Sequence, residues 1–380
     1  MKKQSRKAFH PLVVIKLWLR SAGRCEFNGC NEYLLRDSLT LSEANFSNIA
    51  HIIAYSKDGP RGDDPLPVAK RNDIENLMLL CTKHHKLIDT KSLEKKYPKE
   101  LLQKYKYEHE KRIHNLTSIQ PGNKTVVVRM KSKINGEAVQ ISLDQIKSAI
   151  HPRYPVDEEG LEIDFTSLPD EEGTAYWDIG KQKITSVLEK LYQSGIDIKP
   201  TDHLSVFGLG PMPLLMFLGN QLSNKITTDL YQRHRDTQDW AWKTDGETAR
   251  YKVTPLFQGY DKSKVALVLS LSGTIAPESL PEEVKRNFTV YQISLDGQAP
   301  NTLFLRKKED LIAFGEIYQK TIGLMQKTHG AVKEVLLFPA IPAPVAIICG
   351  RDLLKKVHPS MKVYDFNKKS GGFSHIITIN

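Results

Sequence analysis

Two short pairs of metal-binding residue types, far apart in the sequence, most constrain what this chain can fold into. Cys25 and Cys30 are separated by four residues, and Cys81 and His84 are separated by two. Three thiolates and one imidazole form a tetrahedral ligand set for zinc, and the short spacings let two knuckles converge on one ion. All four positions are filled, which predicts a structural zinc. The competing interpretation is three ordinary buried cysteines.

Length and composition indicate a globular protein of more than one domain. The chain has 380 residues, more than one hydrophobic core usually organises, and 40% of them are hydrophobic. The fourth cysteine, Cys349, lies in an apolar run, which favours a small core residue. No apolar run approaches the roughly 20 residues that span a bilayer, and no signal-peptide cleavage site follows the basic start. We expect a cytoplasmic protein with no membrane partner.

The positive charge is concentrated in the first third of the chain. Residues 1–120 carry a net charge of +8, whereas residues 121–380 carry +2. Because lysine and arginine neutralise phosphates, this asymmetry predicts that the N-terminal part meets a polyanion such as nucleic acid. A solvated basic face without a partner is the alternative on charge alone.

The segment between the two knuckles carries further polar residues at defined places. Asn48–Ala54 has the alternating, β-branched character of a short strand, which would carry His51, and a loop rich in glycine and proline follows it. Asn76 begins a second apolar strand, which passes the Cys81 knuckle and leads into a helix that starts near His85. The sequence therefore predicts a strand, a loop, a strand and a helix built around the metal-binding pairs.

This order of motifs resembles the HNH nuclease family over about residues 20–95. The resemblance implies an α+β, zinc-stabilised ββα-metal domain. It implies that His51 is the general base that deprotonates an attacking water, a role suited to imidazole. It further implies that Asn76 fixes the loop and orients His51 or the metal, and that His85 binds a catalytic Mg²⁺ or Mn²⁺ that stabilises charge on the phosphate.

Two positions depart from the family's pattern. Many members carry an aspartate just before the first histidine as a second metal ligand, and this chain has Ala50 there. Either another group, such as Asp89 or Asn48, completes the metal shell, or metal binding is weak until DNA phosphates contribute. His84 stands where the family usually has a zinc-binding cysteine, which leaves open an exchange of roles between His84 and His85.

A helical stretch and a break in periodicity mark the domain boundary. Residues 91–114 are rich in lysine, glutamate, tyrosine and leucine, and Gln120-Pro-Gly-Asn-Lys follows them. We expect an HNH domain with its helical extension at residues 1–118, a linker at 119–125 and a second domain at 126–380.

The second domain contains a duplication at a constant offset of 131 positions. Residues 204–222 and 335–353 each have the pattern of a buried strand, a glycine- and proline-rich loop and a helix opened by proline. An amphipathic pattern precedes each strand, and the first such pattern extends to Tyr192. The equivalent pairs are Phe207 and Phe338, Pro211 and Pro342, Pro213 and Pro344, Gly219 and Gly350, and Leu222 and Leu353. Two fused Rossmann-like α/β halves, at about 126–258 and 259–380, explain the pattern.

The loops after the duplicated strands are the predicted ligand site. Parallel α/β sheets bind ligands at the carboxyl ends of their strands, where loop amides and helix N-termini attract phosphates. A segment with two arginines and two tryptophans follows the first repeat, a mixture that stacks bases and grips phosphates. The candidate ligand-binding residues are Gly208, Pro211, Arg233, Arg235, Trp240, Trp242, Pro339 and Pro342. The alternatives are prolines that only start helices and a tryptophan that packs in the core.

The second domain resembles the SAVED domain, a fusion of two CARF-like units, and the whole chain looks like the HNH-SAVED effectors of bacterial CBASS antiphage systems. This resemblance implies a metal-dependent DNA endonuclease that is silent until a cyclic di- or trinucleotide binds and drives homo-oligomerisation. It implies promiscuous cutting of double-stranded DNA, which kills the infected cell before the phage matures.

Two other functions fit parts of the sequence. A modification-dependent HNH restriction endonuclease would use the second domain to read DNA, but that domain is nearly neutral. A catalytically inactive, zinc-stabilised DNA-binding regulator would explain Ala50. Metal-dependent cleavage distinguishes the regulator from both nucleases.

Overall fold

The computed structural model describes residues 8–134, 137–138, 141–168, 173–191, 202–330, 332–367 and 371–380. It divides into two compact units, Met1–Ile119 and Gln120–Asn380, called here the N-terminal and C-terminal units. The residues predicted as a linker include a short 3₁₀ turn, Pro121–Asn123, and the first two residues of a strand that begins at Lys124. Within the described ranges, no helix combines the length and apolarity that a membrane span requires.

The N-terminal unit is a small β-hairpin surrounded by helices. Its elements are α1 (Pro11–Ser21), β1 (Ser47–His51), β2 (Leu77–Cys81), α2 (Thr82–Asp89) and α3 (Lys99–Thr117). The two strands pair antiparallel, so that His51 lies opposite Leu77. The predicted order of strand, loop, strand and helix is confirmed.

Local sequence explains how these elements begin and end. The His10 side chain accepts a hydrogen bond from the Leu12 N–H at the start of α1, and Pro11 occupies the first helical position. The helix ends where Ala22 adopts a left-handed conformation. All five residues of β2 are buried, which explains why this strand is an unbroken apolar run.

The first half of the C-terminal unit contains a parallel sheet. Its elements are β3 (Lys124–Lys131), β4 (Lys133–Ile134), β5 (Glu137–Ala138), α4 (Leu143–Ile150), β6 (Tyr154–Pro155), β7 (Leu161–Asp164), α5 (Gly173–Glu189), β8 (His203–Gly208), α6 (Met212–Leu222) and β9 (Thr227–Tyr231). The sheet order is β6-β3-β8-β9, with β7 also paired to β3. Tyr192, which the helical pattern before β8 included, lies outside the described residues.

The second half contains a six-stranded sheet. Its elements are β10 (Tyr251–Phe257), β11 (Val265–Ser270), α7 (Glu282–Asn287), β12 (Thr289–Leu295), α8 (Lys308–His329), β13 (Glu334–Ala340), α9 (Ala343–Arg351), β14 (Ser360–Asn367) and β15 (Gly372–Ile379). The order is β10-β12-β11-β13-β14-β15, and the two edge strands run antiparallel to their neighbours.

The boundary predicted between the halves is wrong by one strand. Residues up to 258 were assigned to the first half, but β10 forms its hydrogen bonds with β12 of the second sheet. The connection between the halves is therefore the irregular segment 232–250. Tyr251 and Val253 alternate with Lys252 and Thr254, which indicates a strand but not the sheet to which it pairs.

The duplicated helices α6 and α9 cross with their backbones in contact. A Cβ atom at Gly219 would lie 2.0 Å from the Ile347 carbonyl oxygen, and one at Gly350 would lie 1.8 Å from the Met216 carbonyl oxygen. Met216 and Ile347 are themselves separated by 131 positions, so the two contacts are reciprocal. The duplication therefore forms a pseudo-two-fold helix pair that only glycine permits.

Candidate functional site

The four predicted zinc ligands converge in the N-terminal unit. One ligand atom from each of Cys25, Cys30, Cys81 and His84 lies within 4.8 Å of every other. The His84 Nδ1 atom is 3.2 Å from the Cys81 Sγ atom and 3.6 Å from the Cys25 Sγ atom. This convergence is confirmed, and it assigns His84 rather than His85 to the cluster.

The surroundings of the cluster suit a structural ion. The Phe27 ring stacks on the His84 imidazole at a centroid distance of 4.2 Å and fixes its orientation. Burial raises the pKa of the Cys25 and Cys81 thiols, so thiolates there need a cation to hold their charge. Three sulfur donors and one nitrogen donor match the preference of zinc.

His51 lies at the end of β1 and is 7% exposed. Its Nε2 atom is 3.0 Å from the Asn72 Oδ1 atom. The rings of Phe9 and Tyr55 flank it, with centroids 5.5 Å and 6.1 Å from that of the imidazole. The predicted general base is thus held on several sides by groups that sequence analysis did not identify.

Asn76 fixes the loop that follows His51. Its Oδ1 atom accepts a hydrogen bond of 2.9 Å from the Ile53 N–H, and its Nδ2 atom donates to the carbonyl oxygens of Ile53 and Arg71, each at 2.9 Å. These bonds support the loop-fixing role implied for Asn76. Its side-chain oxygen is engaged by the backbone, so its route to His51 is through the loop.

Two buried arginines organise the same loop, and sequence analysis missed both. Arg61 donates to the carbonyl oxygens of Ile52, Ile88 and Tyr97, and Arg71 donates to those of Ala54, Tyr55, Gly62, Asp64 and Leu66. Carbonyl oxygens satisfy guanidinium groups without a buried carboxylate. Arg61 thereby links the residue after His51 to the last turn of α2.

His85 pairs with Asp89 one helical turn later. Their Nε2 and Oδ2 atoms are 3.3 Å apart, and both side chains are partly exposed. Asn48, the other candidate for completing the metal shell, donates its amide N–H to the Thr82 hydroxyl at 3.1 Å. Of the two alternatives, Asp89 is therefore the one that lies beside His85.

The departure at Ala50 has a packing explanation. Ala50 is fully buried in the core of the N-terminal unit, where a carboxylate would lose its solvation. Across the described ranges, the only group of three or more metal-binding side chains that lie close together is the zinc cluster. His51, His85 and Asp89 thus do not form a preformed three-ligand site.

In the C-terminal unit, the predicted loops lie where strand order reverses. In the first sheet, β3 has β6 and β7 on one side and β8 on the other. In the second sheet, β11 has β12 on one side and β13 on the other. Ligands of open parallel sheets bind at this position, beyond the carboxyl ends of the strands. The loops after β8 and β13 therefore border both such positions.

The predicted residues of these loops are buried. The structure buries all four of them: Gly208, Pro211, Pro339 and Pro342. A second proline follows in the first turn of each helix, Pro213 in α6 and Pro344 in α9, and neither has an N–H to donate. Any contact with a ligand would come from the remaining backbone groups of the loops. The prolines do start both helices, as the alternative interpretation stated.

Trp240 and Trp242 lie in the irregular segment that connects the two halves. Residues 232–250 form no strand, and their backbone includes a hydrogen bond of 2.9 Å from the Lys243 N–H to the Arg306 carbonyl oxygen. Trp240 is 1% exposed and packs edge-on against Phe207, so its side chain belongs to the core. Trp242 is half-buried, and its indole N–H donates to the Leu230 carbonyl oxygen at 3.2 Å.

The two arginines of this segment differ in environment. Arg233 is partly buried and donates to the Gln238 Oε1 atom at 2.8 Å, whereas Arg235 is exposed. Between them lies His234, which is 4% exposed, and burial lowers the pKa of His234. The His234 Nε2 and Gln232 Oε1 atoms are buried without a hydrogen-bond partner. A water molecule or a ligand would satisfy both atoms.

Comparison with known proteins assigns both units. A family model described as "SMODS-associated and fused to various effectors sensor domain" (SAVED) matches residues 187–379, and an HNH endonuclease model matches residues 25–93. No curated protein matches the chain.

Similar solved structures include two receptors. The Acinetobacter baumannii Cap4 SAVED/CARF-domain receptor with the cyclic trinucleotide 3′3′3′-cAAA is 13% identical, with a TM-score of 0.42 over 76% of this chain and 61% of that chain. The Moraxella osloensis Cap4 receptor is 13% identical, with a TM-score of 0.40 over 76% and 60%. The chain thus spans less than two thirds of the length of these receptors.

The SAVED match covers more than half of the chain, and the HNH match covers the zinc cluster, the hairpin and α2. The chain therefore belongs to the SAVED family, and its N-terminal unit carries an HNH endonuclease domain.

Proposed function

We propose that this protein is a DNA endonuclease whose activity is switched on when a cyclic oligonucleotide binds its SAVED domain. The observation that carries the proposal is the combination, in one chain, of a SAVED domain with an HNH domain in which His51 is held at the end of β1 by Asn72 and by the loop that Asn76 fixes. A CBASS-type antiphage role in the cytoplasm follows from this combination.

In the proposed reaction, His51 takes a proton from the water that attacks the phosphodiester phosphorus. The new bond from the water oxygen to phosphorus forms as the bond to one deoxyribose oxygen breaks, and that leaving oxygen takes a proton from solvent. Imidazole suits this step because its usual pKa is close to neutral pH. His85, with Asp89 beside it, would hold Mg²⁺ or Mn²⁺, which stabilises charge on the phosphate when bound. Two protein ligands leave room for phosphate oxygens, consistent with a metal that binds together with DNA.

The zinc cluster has a structural role in the proposed reaction. Cys25, Cys30, Cys81 and His84 would hold Zn²⁺ and so join the segment after α1 to the start of α2. His85 is next to His84 in the chain, so the ion also fixes the turn of α2 that presents His85. Zinc removal would therefore act on the position of His85.

The proposed activator is a cyclic di- or trinucleotide, and the proposed substrate is double-stranded DNA. The net charge of +8 on residues 1–120 supports DNA binding by the N-terminal unit, and the net charge of +2 on the remainder argues against a second DNA-binding surface of similar strength. One HNH site cuts one strand, so a double-strand break requires two sites or two events. We therefore propose that the activator acts by assembling a homo-oligomer.

The test is cleavage of supercoiled plasmid by the purified full chain with Mg²⁺ or Mn²⁺. Each reaction contains no cyclic nucleotide or one member of a panel that begins with 3′3′3′-cAAA, and a His51→Ala variant serves as the control. The proposal predicts cleavage with one or a few members only and none by the variant. Equal cleavage without any cyclic nucleotide would indicate a restriction-type enzyme, and DNA binding without cleavage under any condition would indicate the inactive regulator.

A further inference from the structure

The geometry points to Asn72 as the positioning residue that sets the tautomer of His51, so that the imidazole Nδ1 atom is the one that accepts the proton from water. This inference rests on the proposed function, because it specifies how His51 acts. The three residue positions that give the HNH family its name do not include residue 72.

The hydrogen bond between the two side chains defines the tautomer. The His51 Nε2 atom lies 3.0 Å from the Asn72 Oδ1 atom. An amide oxygen only accepts hydrogen bonds, so the proton of neutral His51 resides on Nε2 and the basic lone pair on Nδ1. In the opposite tautomer, two acceptor atoms would face each other in a site where His51 is only 7% exposed.

Aromatic rings hold the plane of the imidazole. Phe9, from the segment before α1, lies 5.5 Å from the His51 ring with an interplanar angle of 35°. Tyr55, from the loop after β1, lies at 6.1 Å and 56°. The ring is therefore confined from two parts of the chain while Asn72 determines which nitrogen carries the proton.

The backbone on either side of this pair is also fixed. Asn76 bonds both Ile53, two residues after His51, and the carbonyl oxygen of Arg71, the neighbour of Asn72. The Arg71 guanidinium, 2% exposed, binds carbonyl oxygens of the intervening loop. Asn76 therefore fixes the backbone at two points, at the exit of β1 and at the residue before Asn72.

The first test observes the tautomer without any cleavage. Nitrogen-15 NMR of the histidine rings in the full chain, with the His51 signals assigned through a His51→Gln variant, distinguishes a protonated ring nitrogen from an unprotonated one. The inference predicts a protonated Nε2 and an unprotonated Nδ1 at neutral pH. In Asn72→Ala, the two tautomers should become mixed. A wild-type His51 protonated on Nδ1 would overturn the inference.

The second test is the pH dependence of plasmid cleavage under the conditions that activate the wild type. Asn72→Asp keeps the acceptor and adds a negative charge, which should move the acid limb of the rate profile to higher pH by about one unit. Asn72→Ala should lower the rate roughly 10²-fold through loss of orientation. Asn115→Ala, the same change at an exposed position of α3, is the matched control and should leave the profile unchanged.

The two tests separate this inference from the proposed function. If the wild type cuts and His51→Ala does not, but both Asn72 variants behave as Asn115→Ala does, the nuclease proposal stands and the role of Asn72 is refuted. If no condition produces cleavage, the nuclease proposal fails, and the NMR measurement still decides the tautomer.

Discussion

Asp229 illustrates how single residues hold the C-terminal unit together. Its carboxylate lies 2.6 Å from the Lys308 Nζ atom, 3.3 Å from the His203 Nε2 atom and 3.7 Å from the Arg153 Nε atom. Burial alone would raise the pKa of Asp229, but the hydrogen bonds and charges of His203 and Lys308 outweigh it and hold the pKa well below its usual range. Because Lys308 begins α8, the cluster also links β9 to the second half.

This cluster predicts a pH-dependent contribution to stability. A carboxyl whose pKa is lowered by folding stabilises the protein above its unfolded pKa, near 4, and loses that contribution as the pH falls through the folded value. Asp229→Asn should therefore lower the free energy of unfolding by about 2 kcal/mol at pH 7, and the difference from wild type should shrink below pH 4. Urea unfolding followed by tryptophan fluorescence measures this.

The control for this measurement is Glu316→Gln, whose side chain is 66% exposed on α8. An exposed ion pair contributes little, so this variant should match the wild type at every pH. A constant difference between Asp229→Asn and wild type from pH 7 to pH 3 would contradict the electrostatic explanation.

Residue-level roles were predictable from the sequence only where a motif carries them. The candidate zinc ligands and the candidate residues His51, Asn76 and His85 have fixed spacings in a motif, so the sequence alone identifies them as candidates. Asn72 and Phe9 act through contacts between distant segments, and nothing in their local sequence indicates these contacts. Trp240 shows a related limit, since a tryptophan flanked by arginines has the same local pattern whether it packs in the core or stacks on a ligand, and the structure places its side chain in the core.

Among the elements, the α6–α9 pair is the most restrictive contact of the C-terminal unit. It is also the clearest case in which sequence predicted an element correctly, because the repeat preserved the proline that opens each helix and the glycine at each crossing point. The repeat alone does not indicate that the glycine of each helix contacts the backbone of the other helix. This contact is visible only once the two halves are packed together.

Substitution of these glycines should be strongly destabilising. In Gly219→Ala the added methyl would fall 2.0 Å from a backbone oxygen of α9, which a side-chain rotation cannot relieve. We expect a loss of about 3 kcal/mol in the free energy of unfolding, and a similar loss for Gly350→Ala. Gly323→Ala in α8, where nothing lies within 4 Å, should instead stabilise the protein by about 0.5 kcal/mol. Equal effects of the three variants in urea unfolding would refute the close contact.

The proposed zinc ion would hold the hairpin and α2 in place. We predict one zinc per chain by elemental analysis, lost in Cys81→Ser and retained in Cys349→Ala, since Cys349 is buried in the C-terminal unit. Metal binding contributes folding free energy directly, so a chelator should remove hydrogen-exchange protection from β1 and β2. Cys81→Ser protein that keeps its zinc and its protected hairpin would contradict a structural ion.

At the scale of the whole molecule, two units with different charge are joined in one chain. The sequence predicted both fold classes, because the knuckle spacings and the repeat are long-range regularities that survive without structural information. It misplaced the boundary between the halves by one strand, since β10 pairs with a strand some 40 residues later along the chain. The proposed coupling between ligand binding and cleavage follows from neither unit alone.

The measurement that tests this coupling most directly is a titration of the activating cyclic oligonucleotide in which binding and plasmid cleavage are followed on the same protein. We predict negligible cleavage without ligand and a cleavage rate that rises over the concentration range in which the ligand binds. His51→Ala should bind the ligand with unchanged affinity and cut nothing. Full cleavage in the absence of ligand, or binding that leaves the rate unchanged, would contradict a ligand-gated nuclease.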